Sequence, residues 1–203
     1  MKKITLTLLG LVAFSTSALA QQEVKFGPKA GVNFATVSGK DADDAKMMVG
    51  FHVGAFAEIK FNDKFAIQPE VQYSAQGAKG KDEGVEVKAK YDYINVPIRA
   101  KYYVTENLAF ELGPYVGFLM KAEQEGGSVS IDTKDFSNSI DFGAGAGASF
   151  NLDNGFFVGA RYNLGLTKIP KKAEMELMPG VTMESEAADV KNGVIQVSVG
   201  YKF

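Results

Sequence analysis

The chain has 203 residues, 22 Lys and Arg against 24 Asp and Glu, a net charge of −2 and no cysteine. Charges of both signs are interspersed, which excludes a basic tract for nucleic acid; the missing thiols exclude a disulfide framework and a lipid-anchored cysteine. The length suits one domain. No later apolar run is long enough for a transmembrane helix, so a passage through a bilayer would have to be made by a closed barrel.

Met1-Lys2-Lys3, an apolar run from Ile4 to Phe14 and the ending Ser15-Thr16-Ser17-Ala18-Leu19-Ala20 read as a secretory signal peptide over 1–20. Cleavage is expected between Ala20 and Gln21, leaving a domain over 21–203.

From Gln21 onward the pattern has period two, the mark of strands with one apolar and one polar face. The first segment, about Lys25–Ala35, sets Ala30, Val32 and Phe34 against Lys29, Gly31 and Asn33. A second, Met48–Phe61, opposes Phe51, Val53, Ala55, Ala57 and Ile59 to His52, Gly54, Phe56, Glu58 and Lys60. The third, Phe65–Gln76, alternates without a fault, and the fourth, Tyr91–Val104, sets Ile94, Val96, Ile98 and Ala100 against Tyr93, Asn95, Arg99 and Lys101. Segments at Leu108–Met120, Ser139–Leu152, Phe156–Lys168 and Val194–Phe203 complete a set of eight. Tight turns at Asn62-Asp63-Lys64, Thr105-Glu106-Asn107 and Asp153-Asn154-Gly155 carry hairpin residues. They alternate with polar excursions over Thr36–Lys46, Gly77–Lys90, Lys121–Ser137 and Ile169–Asn192. Pro69, Pro97 and Pro114 fall inside strands, where local bulges are expected.

Short turns at one end, long excursions at the other and both termini on the short-turn side predict an all-β, eight-stranded antiparallel up-and-down transmembrane barrel. Aromatics gather toward segment ends (Phe61, Phe65, Tyr102, Phe110, Phe150, Phe156, Tyr201 and Phe203), as interfacial girdles would require. A soluble barrel would turn its apolar face inward. Here the inward candidates include Glu58, Glu70, Arg99, Glu111 and Arg161, a poor lining for an apolar ligand, so polar inside and apolar outside is the better fit.

The last strand, with Val199, Tyr201 and Phe203 on its apolar face, resembles the C-terminal assembly signal of bacterial outer-membrane barrels. Tyr93-Ile94-Asn95-Val96-Pro97-Ile98-Arg99-Ala100-Lys101-Tyr102-Tyr103 is similar to a hallmark strand of the "porin family" or PorT-like outer-membrane barrel domain. Leu112-Gly113-Pro114-Tyr115-Val116-Gly117 and Arg161-Tyr162-Asn163-Leu164-Gly165-Leu166 match the strands characteristic of that family. The resemblance implies an integral protein of the outer membrane in contact with its lipid. It also implies handling by periplasmic chaperones and the barrel-assembly machinery.

Eight strands enclose a lumen just wide enough to be filled by side chains. Glu58, Glu70, Arg99, Glu111 and Arg161 are expected near mid-barrel as a paired network that plugs it, because confined charges must be paired. The rival function is a narrow ion path, a small porin. His52, the sole histidine, is placed near the loop end as a solvated rim residue; with Ser38 and the Asp41, Asp43, Asp44 cluster nearby it admits a lipid-modifying enzyme, but no nucleophile motif surrounds it. Asp41-Ala42-Asp43-Asp44 lacks the spaced glycine and terminal Glu of a calcium loop and reads as a solvated cluster. Gly143-Ala144-Gly145-Ala146-Gly147 lies within a strand and opens no helix, which excludes a phosphate loop; its small residues should make room for Tyr, Phe or Arg from neighbouring strands. The final excursion carries Met175, Leu177, Met178, Val181 and Met183, and alternation there predicts an outward hairpin extension of the barrel strands. The expected protein is a monomeric, non-enzymatic surface protein without metal or cofactor, whose loops could meet a surface partner.

Overall fold

The computed structural model describes residues 23–42, 45–82, 85–127, 129–178 and 181–203. The signal segment, with Ala20 and Gln21, and also Asp43 and Asp44, lie outside the described residues. In chain order the strands are β1 (Glu23–Ser38), β2 (Lys46–Lys60), β3 (Phe65–Asp82), β4 (Val85–Tyr103), β5 (Leu108–Gly126) and β6 (Val129–Asp132). A single 3₁₀ turn (Lys134–Phe136) follows, then β7 (Ile140–Asn151), β8 (Phe156–Gly165), β9 (Ala173–Met178), β10 (Val181–Ser185) and β11 (Lys191–Tyr201). β1 pairs with β2, β2 with β3, β3 with β4, β4 with β5, β5 with β7, β7 with β8 and β8 with β11. Antiparallel pairing of β11 with β1, from Lys29 opposite Gly200 to Ser38 opposite Lys191, closes the eight-stranded barrel.

Alternation dictates which way each side chain points, and the faces are inverted relative to a soluble domain. Leu112 is 64% exposed on the outer wall while Arg99, on the inward parity of the neighbouring strand, is 2% exposed. Val32, Phe51, Val71, Phe142, Val158 and Val197 join Leu112 outside. An apolar wall of this kind is stable only against hydrocarbon.

The short-turn end is fixed by local chemistry. Asn62 Oδ1 accepts from the backbone N–H of Lys64 and of Phe65, each at 2.9 Å. Thr105 Oγ1 accepts from Leu108 N at 3.0 Å, and Gly155 supplies a φ of 87°. All eight aromatics expected at two interfaces gather at this one end. There Phe65 packs tilted against Tyr102 with centroids 5.2 Å apart, and Phe156 meets Tyr201, and Tyr201 meets Phe203, edge to face at 5.0 Å. At the opposite end Phe51 meets Tyr73 at 5.5 Å.

Three expectations need correction. First, no bulge forms at the prolines. Pro69 faces Ile98 and Gln72 faces Asn95 in one register, Pro97 faces Tyr115 and Ala100 faces Leu112 in one register, and Pro114 lies in an unbroken ladder opposite Ala144. A missing donor removes a hydrogen bond but adds no residue, and only an added residue makes a bulge. In the barrel wall the register shifts fall instead between Met47 and His52 and between Asp92 and Tyr93. Second, the described residues of the polar stretches beyond Gln76 and Met120 are largely strand. β3, β4 and β5 run 18, 19 and 19 residues, well past the ~9–11 that cross a bilayer. They continue as a polar wall in which Lys88 faces Glu125, Lys90 faces Glu123 and Asp92 faces Lys121. Third, β9 and β10 do pair, but as a separate two-stranded sheet. Between β8 and β9, Pro170 makes only an isolated bridge to Ser137, and Ile169 turns inward to 3% exposure.

Candidate functional site

Among the described residues, the lumen is where the fold gathers buried charged groups. Among the described residues, Lys29, Arg99, Lys101 and Arg161 are buried there with Glu58, Glu70, Glu111 and Asp141. They come from inward positions on seven strands, Arg99 and Lys101 sharing β4, so pairing runs across the lumen between residues far apart in sequence.

At mid-barrel Glu70 accepts from both terminal nitrogens of Arg161 at 2.9 Å, from Lys29 Nζ at 2.9 Å and from Gln68 Nε2 at 2.7 Å. Arg161 Nε lies 2.8 Å from Glu111 Oε1. The two-pronged guanidinium grip is the strongest arrangement available to a carboxylate. Glu58 belongs to a separate group nearer the short turns. It receives Lys101 Nζ at 2.8 Å, Lys202 Nζ at 2.8 and 3.0 Å and the Tyr103 hydroxyl at 2.6 Å. Gln68 joins the groups, since its carbonyl accepts from Lys101 at 3.0 Å. Below them a cavity of about 240 Å³ opens at the short-turn mouth, lined by Lys25, Lys60, Tyr103, Asn151 and Lys202.

Of the five residues expected in one network, the structure thus joins Glu70, Glu111 and Arg161, places Glu58 in its own cluster and gives Arg99 different partners. Arg99 donates to the backbone carbonyls of Gly113 and Gly145 and to Asn163 Oδ1 at 2.6 Å. Room for these cations comes from the glycines of β7. A Cβ on Gly145 would stand 2.9 Å from Arg99 Nη1, one on Gly147 2.6 Å from Arg161 Cβ, and one on Gly143 2.3 Å from the Tyr115 ring. Lys29, Gln68, Lys101, Tyr103 and Lys202 were not singled out from the sequence; their inward parity was the available signal.

Toward the loops the lining turns neutral. Asn163 Nδ2 donates to Gln196 Oε1 at 3.0 Å, and Gln196 Nε2 donates to Asn33 Oδ1 at 3.0 Å. His52 is not a solvated rim residue: it is 1% exposed within this layer. Its Nδ1 lies 2.8 Å from Asn33 Oδ1 and its Nε2 2.8 Å from Ser198 Oγ. Since Asn33 Oδ1 can only accept, Nδ1 carries the proton. Hydroxyl, imidazole and amide stand in the order of a nucleophile, base and orienting group. Ser198 is itself only 6% exposed, however, and neither cavity described reaches it. Among the described residues no three His, Cys, Asp or Glu side chains are grouped to hold a metal.

At the loop end, Ser38 closes the β1–β11 ladder and Asp41 accepts from Asp189 N at 2.7 Å. A second cavity, of about 380 Å³, lies among the loops with Asn138, Lys168, Pro170, Lys171 and Lys172 in its lining. At the other end Val199 and Tyr201 face outward from β11, and the Phe203 N–H donates to Phe26 O at 2.9 Å, tying the terminus to β1.

The fold is shared with known small barrels. Neisserial surface protein A is 19% identical, with 89% of this chain and 99% of that one covered at a TM-score of 0.55. Ail, the attachment invasion locus protein of Yersinia pestis, is 19% identical with the same coverages and a TM-score of 0.52. Its complex with the heparin analogue sucrose octasulfate is 18% identical over 89% and 99%, with a TM-score of 0.50. No curated protein matches the sequence. The family described as "Outer membrane protein beta-barrel domain" matches residues 19–170, most of the chain. Its apolar wall, closed eight-stranded ladder and this match place the chain in the outer membrane protein beta-barrel domain family, as an integral protein of the outer membrane.

Proposed function

We propose that this is a non-enzymatic surface protein whose barrel anchors its loops and whose lumen is plugged by its own side chains. The observation that carries the reading is the Lys29–Glu70–Arg161–Glu111 cluster, which spans the barrel at mid-height with every distance between 2.8 and 2.9 Å. Passage of an ion would have to part buried, charge-assisted bonds. The polar wall built by β3, β4 and β5 and the cleft where Lys168, Lys171 and Lys172 outnumber Glu186 support an interaction at the outer surface with an anionic partner. Ail, of the same fold, has been solved with a sulfated ligand, and the same ligand class is the first to try here. Val199, Tyr201 and Phe203 serve as the terminal signal for the assembly machinery, cleavage falls between Ala20 and Gln21, and the protein acts as a monomer.

Swelling of proteoliposomes in small sugars and amino acids tests the plug. Vesicles holding the protein should swell no faster than empty ones. Rapid solute entry would transfer the function to the alternative class, a small porin.

A further inference from the structure

The short-turn end of the lumen carries more positive charge than its carboxylates answer. In the mid-barrel cluster, Lys29 and Arg161 meet Glu70 and Glu111, two charges against two. Nearer the turns the count differs, because Lys101 and Lys202 both take their ion pair from Glu58, each at 2.8 Å. Their side chains are 1% and 8% exposed, so the surplus ammonium is a buried one. Lys60 adds a further cation over the face of the Tyr103 ring, 4.5 Å from its centroid. Across the ladder Lys60 faces Glu23, but that carboxylate already lies 2.9 Å from Lys25 Nζ. Lys25, Lys60, Lys101 and Lys202 thus share Glu23 and Glu58.

The surplus lies where the lumen is open. The cavity of about 240 Å³ at this mouth has Lys25, Lys60, Lys202 and Tyr103 in its lining, and it is far roomier than the ~30 Å³ that one water takes in the liquid. Glu58 lines it too, with its oxygens taken by the two amines and by the Tyr103 hydroxyl. Glu106 and Asp153, the other carboxylates of the lining, stand exposed on the turns. Water and salt screen such charges, whereas a buried charge is screened much less. A buried cation without its counter-charge is costly, and an ammonium is a ready donor to phosphate and carboxylate oxygens.

We propose that the short-turn mouth is a binding site for a small oxyanion, a phosphate or carboxylate group, held by Lys60 and Lys25 beside the buried Lys101–Glu58–Lys202 group. Short turns lie on the periplasmic side of such barrels, so the ion enters from the periplasm. Lys60 donates to it directly. Lys202, whose N–H groups serve Glu58 and the Tyr103 hydroxyl, contributes its charge instead. The ion supplies the missing negative charge below the plug. The inference is independent of the surface-partner reading, because that cleft lies at the opposite end of the barrel.

Amide NMR of the refolded, isotope-labelled barrel provides the test, with inorganic phosphate and then acetate titrated at fixed ionic strength. Lys202 N donates to Gly155 O at 2.8 Å and Gly155 lines the cavity, so these two amides report the site. Both should shift saturably with either ion, while the amides of Lys168, Lys171 and Lys172 report the outer cleft separately. Lys60→Met should weaken the affinity read at Gly155 about tenfold, the effect of one lost charge-assisted contact. Lys202→Met leaves Glu58 its pair with Lys101, removes the buried surplus and should weaken binding by a similar factor. Glu58→Gln enlarges the surplus and should tighten it; should that variant fail to refold, the two lysine variants decide. No saturable shift at Gly155 and Lys202, an affinity unchanged in both lysine variants, or weaker binding in a folded Glu58→Gln would overturn the site. A saturable response confined to the outer cleft would overturn it too, and would leave the surface-partner reading standing.

Discussion

Replacing Arg161 by Met keeps a long side chain in the lumen but removes the guanidinium that joins two carboxylates. Three contacts go at once: two to Glu70 at 2.9 Å and one to Glu111 at 2.8 Å. Glu70 keeps Lys29 and Gln68. Glu111 is left stranded, since its Oε2 already lacks a partner. Breaking a buried pair by removing one member costs about 3–5 kcal/mol, mostly for the charge left behind. Reversible unfolding in urea from lipid vesicles should show Arg161→Met destabilised by about that amount. Adding Glu111→Gln should then recover about 1–3 kcal/mol, because the stranded charge is gone. A loss below about 1 kcal/mol, or a double variant no more stable than the single one, would refute the pairing argument.

Gly145→Ala should cost about 1–3 kcal/mol in the same assay, its Cβ meeting Asn163 Oδ1 at 2.2 Å and Arg99 Nη1 at 2.9 Å. Outward-facing Ala146→Val should change stability by only about 0.5 kcal/mol. Ser198 should resist a fluorophosphonate probe in the folded barrel; labelling that disappears in His52→Ala would instead reveal a working nucleophile. In the wall above the membrane, Lys90 bonds Glu125 and holds its carboxyl below the usual range. A depressed carboxyl contributes stability above its unfolded pKa and loses it as pH falls through the folded one. Amide exchange at Gln124–Gly126, corrected for intrinsic rate, should therefore be better protected at neutral than at acid pH, and Lys90→Gln should abolish that difference; no difference in the parent would contradict the pairing.

Much of the fold was legible because a barrel wall repeats one rule. Alternation assigned Val32, Phe51 and Leu112 outward and Glu58, Glu70 and Arg161 inward, as they stand. The rule weakens where both faces of a strand meet water, and so the ends of β3, β4 and β5 looked like loops. Underestimating β1 and β2, which run to Ser38 and from Lys46, also set His52 too near the rim. Pairing inside the lumen was the least legible layer. Glu70 and Arg161 are 91 residues apart and meet across the interior. Parity says that both point inward, but only the stagger of the closed sheet sets their heights. Arg99 shows the same limit: its acceptors are mainly the backbone carbonyls of two glycines, Gly113 and Gly145, which no charge pattern announces.

Planar-bilayer recording bears most directly on the plugged lumen. The refolded parent should stay electrically silent, while Arg99→Ala with Arg161→Ala, which removes both large cations from mid-barrel, should open measurable current steps. Steady channels in the parent, unchanged in the double variant, would contradict the plug and make solute passage the leading function.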